Sequence, residues 1–116
     1  MREQIKELLK PLILDEGIAF VAIYRIDGTP IFVDIKRRGV VDILHWLEEQ
    51  VKILLYYLEN GRLSEAEIKI SSYRLFLQPL SKSLVLTVLA DDTISIYKLR
   101  IDISTIRNEF LSHVRV

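Results

Sequence analysis

The run VVDILHWLEEQVKILLYYLEN, Val40 to Asn60, carries more apolar surface than a helix with one neighbour needs. On a 3.6-residue wheel, Val40, Leu44, Leu47, Val51, Leu54, Leu55 and Leu58 form one continuous stripe, enough to cover a sheet. A second row, Ile43, Trp46, Gln50, Ile53 and Tyr57, lies beside it. Together they widen the apolar arc to roughly half the circumference, where a single packed face requires about 100°. The surplus predicts a second contact, and another copy of the same chain is the simplest partner.

On the N-terminal side, Lys36-Arg37-Arg38-Gly39 is a basic connection into this helix. Before it, Pro30 to Ile35 reads as a strand, and its leading proline suits an edge position, where a missing donor costs little. Asp27-Gly28-Thr29 is a hairpin signal joining that strand to Ile18–Ile26. The earlier strand is almost wholly apolar, so both of its faces are expected to be buried inside the sheet. Arg2 to Lys10 has Ile5, Leu8, Leu9 and Leu12 at helical spacing, and Pro11 is expected to end or bend that helix, with Gly17 closing the connection.

On the C-terminal side, Asn60-Gly61 supplies a helix stop. Three strands follow: Ala66 to Ser71, Tyr73 to Leu80 and Leu84 to Ala90, the last two joined through Ser81-Lys82-Ser83. Asp91-Asp92-Thr93 reads as a turn that caps a final helix, Ile96 to Val114, with Leu99, Ile103, Ile106, Phe110 and Val114 on one face. The order α-β-β-α-β-β-β-α predicts an α+β domain spanning residues 1–116. Its five-stranded antiparallel sheet would carry the long helix on one face and the terminal helices on the other.

In its apolar order and turn placement the chain resembles the roadblock (dynein light chain) family along almost its whole length. The resemblance rests on Val21-Ala22-Ile23-Tyr24-Arg25-Ile26-Asp27-Gly28-Thr29-Pro30-Ile31 and on the long helix after it. It continues in Tyr73-Arg74-Leu75-Phe76-Leu77-Gln78-Pro79-Leu80, Leu84-Val85-Leu86-Thr87-Val88-Leu89-Ala90 and the last helix. Pro11 and the bulky Trp46 depart from the family pattern.

The resemblance implies a homodimer, or a heterodimer with a paralogue, whose long helices pair and whose edge strands can join. It further implies a platform on which a small GTPase of the Ras-like class docks. Carried onto this chain, the self-association residues are Ile43, Trp46, Gln50, Ile53 and Tyr57 with Ile31, Val33 and Ile35 of the edge strand. His45, Glu49 and Tyr56 are the expected partner contacts. The helix pattern agrees by itself, since the second row needs cover and Ile31 to Ile35 is an apolar edge.

Composition narrows the alternatives. The 116 residues are half apolar, and sixteen basic residues balance sixteen acidic ones, so no net basic field points to nucleic acid. No cysteine is present, which removes disulfides, thiolate metal sites and thiol catalysis. The four glycines are isolated and form no phosphate-binding loop, so the chain is not itself a GTPase. His45 and His113 lie on different helices with no Cys or paired Asp near either in sequence, and no enzymatic activity or cofactor is expected. The N-terminus lacks the apolar run of a signal peptide and no run reaches a membrane span, so a cytoplasmic location is expected. Abundant Ile, Leu, Lys and Glu suggest a heat-adapted source.

Lys36-Arg37-Arg38 is expected to be a solvated loop that blunts the edge strand, and Glu48 to pair with Lys52 on the helix surface. The rival functional reading is a small-molecule sensor with Phe20, Phe32, Tyr73 and Phe76 lining an apolar pocket.

Overall fold

A computed structural model describes residues 2–113, the side chain of His113 excepted. The elements are α1 (Arg2–Leu8), α2 (Lys10–Ile13), β1 (Ile18–Arg25), β2 (Pro30–Ile35), α3 (Arg38–Glu59), β3 (Ala66–Ile70), β4 (Tyr73–Pro79), β5 (Leu84–Asp91) and α4 (Ile96–His113). All strand pairs are antiparallel, and the sheet order is β2-β1-β5-β4-β3. β1 is interior and buried over all but its last residue, as its unbroken apolar run predicts.

Two apolar layers sandwich the sheet. On one face Val40, Leu47, Val51 and Leu55 of α3 close over Phe20, Ala22, Leu75, Leu77 and Leu89. On the other, α1, α2, Leu9 between them and α4 place Ile5, Leu9, Leu12, Leu99, Ile103, Ile106 and Phe110 over Ile23, Phe32, Phe76, Leu86 and Val88. This is the five-stranded α+β arrangement expected from the sequence. Val114, expected to extend the last helix, lies outside the described residues.

Local differences have physical causes. The first helix breaks at Leu9, ahead of Pro11, which then sits in the first turn of α2, where its missing N–H costs nothing. Gly17 is not a left-handed helix stop. An added Cβ there would meet the Ile94 Cβ at 3.0 Å, so glycine is needed for close approach. Gly28 and Gly61 do hold positive φ, at 97° and 79°. At the edge, β2 carries a bulge: Ile23 pairs with Phe32 but Tyr24 with Pro30, leaving Ile31 unpaired and on the same face as Phe32.

Asp91 does not cap α4; Ser95 does, its hydroxyl accepting the Lys98 amide at 3.2 Å. The Asp91 carboxylate instead accepts from Thr93 and from the Arg37 guanidinium. Partial burial pushes that carboxyl up, but Thr93 and Arg37 outweigh it and hold it below the ordinary range. Nor are Lys36 and Arg37 merely solvated. Lys36 Nζ donates to the Leu12 carbonyl at 3.2 Å and to that of Asp15, and Arg37 donates to the Glu16 carbonyl at 2.6 Å. The β2–α3 connection is thereby tied to the α2–β1 connection.

Candidate functional site

α3 buries its first stripe as expected and leaves the second row in the open. Trp46 is 47% and Ile53 51% exposed, and Ile43 and Tyr57 also reach solvent, while Gln50 is half-buried. No loop of the described residues folds over them. Tyr57 meets the neighbouring Tyr56 edge-on, with ring centroids 5.7 Å apart.

The row borders one particular edge of the sheet. Trp46, Gln50, Ile53 and Leu54 form one wall of an open groove of about 420 Å³, and Ile68 and Ile70 of β3 form the other. β3 is the edge opposite β2. Along β3, Ala66, Ile68 and Ile70 point toward α3, and Glu67 and Lys69 toward α4, as their pairing with Leu77, Leu75, Tyr73, Phe76 and Arg74 requires. That alternation was the available signal for β3, which the sequence reading did not include in the self-association face.

Ile31, Val33 and Ile35, the expected β2 contacts, are half-buried. Ile31 packs into the α4-side core, and Val33 and Ile35 pack into the α3-side core. What β2 offers outward is backbone, and that edge is interrupted by Pro30 and the bulge. The α3 row and β2 therefore lie on opposite sides of the molecule.

The opposite flank of α3 carries the expected partner contacts. His45 and Tyr56 are well exposed, and His45 Nε2 lies 3.6 Å from Glu49 Oε1. Lys52 lies against the β1–β2 turn, its stem about van der Waals distance from where a Gly28 side chain would begin. Glu48 does not pair with Lys52; it is half-buried and accepts the Tyr24 hydroxyl at 3.0 Å. The four aromatics of the sensor reading do not meet, because Phe20 and Tyr73 face α3 while Phe32 and Phe76 face α4. Among the described residues, no cluster of His and carboxylates could hold a metal, and no helix is long and apolar enough to cross a membrane.

A family model for AF0774-like proteins matches residues 2–104. The chain belongs to the AF0774-like protein family. No curated protein matches it. Among solved structures, this AF0774-like protein is similar to MglB from Myxococcus xanthus, at 14% identity over 94% of this chain and 93% of that one, with a TM-score of 0.71. A roadblock/LC7 domain from Streptomyces avermitilis matches at 11% identity over 98% and 97% of the two chains, TM-score 0.69. An MglB with tetrameric arrangement matches at 11% identity over 93% and 85%, TM-score 0.69. The AF0774-like chain thus has the roadblock/LC7 fold, as its sequence resemblance implied.

Proposed function

We propose that this chain is a dimeric, non-enzymatic platform of the cytoplasm that binds a Ras-like small GTPase or organises a larger complex. The observation that carries the reading is the exposed apolar row of α3, Ile43, Trp46, Ile53 and Tyr57, on a roadblock/LC7 fold. Such a row is the kind of surface that association removes from water, and a standard interface buries ~800 Å² per partner. The tetrameric arrangement of one similar MglB is in keeping with self-association.

The groove between α3 and β3 favours β3 over β2 as the edge that joins. Antiparallel pairing of two β3 strands about Ile68 sets Ala66 opposite Ile70 of the second copy on the α3 side. On the α4 side it sets Glu67 opposite Lys69. Shifting the symmetric register by one pair in either direction places Glu67 against Glu67 or Lys69 against Lys69, which is unfavourable. β2, with Pro30 and its bulge, has the features of a protected edge.

His45, Glu49 and Tyr56 would then present the partner surface on the far flank of the paired helices. Any effect on GTP hydrolysis would come from repositioning the GTPase's own residues. The test is calorimetric titration of the platform with Ras-like GTPases of the same source, each loaded with GTP analogue or GDP. Saturable binding that Glu49→Lys and Tyr56→Ala weaken supports the reading. Binding to no GTPase in either state overturns the GTPase part of it.

A further inference from the structure

We propose that the sheet face opposite α3 holds a docking trough for an acidic amphipathic helix of a partner protein, one helix per pair of chains. The inference rests on the self-association through β3 proposed above, because the trough is complete only when two copies meet.

In a single chain, an open groove of about 260 Å³ lies between α4 and β3, lined by Glu67, Phe76, Arg100, Ile103, Ser104 and Arg107 among others. Its floor is apolar: Phe76 and Ile103 are each 6% exposed. Arg100, Ser104, Arg107 and Leu111 follow one another at helical spacing along the flank of α4 that overlooks β3, and Leu111 is largely exposed. No helix of the described chain lies over β3 on this side.

Joining two β3 edges converts two half-grooves into one channel, with an α4 on each side. Strands repeat every ~4.8 Å, so the run β4-β3-β3-β4 across the joined edges would give the channel a floor ~14 Å wide. A helix with its side chains is ~10 Å across, so such a floor takes one helix. Charge selects the occupant. Lys69, Arg74, Arg100 and Arg107 face this side in each copy, against Glu65 and Glu67. Glu67 pairs with Arg100 at 2.7 Å and with Arg74 at 3.4 Å, and the four cations exceed the two carboxylates by two in each copy. The channel is therefore a local basic strip over an apolar floor in a chain of zero net charge. An acidic helix with an apolar face complements both.

The probe is a fluorescein-labelled peptide of about 18 residues with Leu at i, i+3, i+4, i+7 spacing and Glu elsewhere, ~27 Å long when helical. Titrated into the wild-type chain at low salt, it is expected to saturate at one peptide per two chains. Arg107→Glu, alone and with Arg100→Glu, should weaken binding about tenfold or more while light scattering still reports the dimer. The same peptide with Lys for Glu should not bind. A dimer that ignores the acidic peptide, or binds it equally after the charge reversals, overturns the trough but leaves self-association standing. A random-sequence oligonucleotide that outcompetes the peptide overturns the choice of occupant. A monomeric wild type overturns the trough together with the reading it rests on.

Discussion

Tyr24 Oη donates a 3.0 Å hydrogen bond to Glu48 Oε2, tying the end of β1 to the middle of α3. The tyrosine is buried, and the carboxylate sits at the border between the covered stripe of the helix and its open flank. The bond holds the helix that carries the candidate platform at a fixed rotation over the sheet.

Burial, then the hydrogen bond to Glu48 and its charge, push the Tyr24 phenol far above its usual value. The folded chain thus keeps a proton that the unfolded chain releases near pH ~10. The resulting stability is fully present below that pH and is lost as pH rises through it toward the folded value. Tyr24→Phe should cost about 1 kcal/mol at neutral pH, read from urea unfolding. It should also flatten the decline in stability above pH ~10. An unchanged alkaline slope would show that Tyr24 does not carry it.

Lys36 anchors the backbone at two carbonyls, those of Leu12 and Asp15. Lys36→Met keeps the stem but removes the charged donor, leaving the Leu12 carbonyl only the Asp15 amide at 3.3 Å and the Asp15 carbonyl only the Ile18 amide at 3.1 Å. A loss of about 1–3 kcal/mol is expected by denaturant unfolding. Amide exchange should quicken in the α2–β1 connection first. Uniform exchange across the sheet with no local change would contradict the anchoring role.

Lys69 lies beside Arg74 within the sheet, so Lys69→Glu relieves a like-charge neighbour in the single chain. In the proposed dimer the new Glu would face Glu67 of the second copy. Thermal stability at high dilution should hold or rise, while the dimer dissociation constant weakens about tenfold at low salt and recovers with added salt. Equal dimer affinity in wild type and variant would remove β3 from the interface.

Periodic signals were legible in the sequence because the nearest neighbours in the chain decide them. The stripe from Val40 to Leu58 fixes a helix on a sheet, the unbroken run from Ile18 to Tyr24 fixes an interior strand, and Pro30 marks an edge. Contacts between distant residues left no such pattern. Arg37 reaches Asp91 and Lys36 reaches Asp15, so charges that read locally as a solubilising loop and a helix cap became a structural tie. Glu48 found Tyr24 rather than the Lys52 one turn along. Strand order is equally non-local: β3 becomes an edge only once β5 pairs with β1, and that pairing brings Ile68 and Ile70 to the side of the molecule where Trp46 is exposed.

Trp46, 47% exposed in the α3 row and against the β3 edge, is the expected anchor of self-association, since buried aromatics carry a disproportionate share of interface energy. The decisive measurement is solution mass by light scattering after gel filtration at micromolar concentration, on wild type and Trp46→Glu. A wild type of two chains, and a variant of one chain with unchanged far-UV circular dichroism, is the predicted result. A monomeric wild type, or a Trp46→Glu dimer as tight as wild type, would contradict the platform.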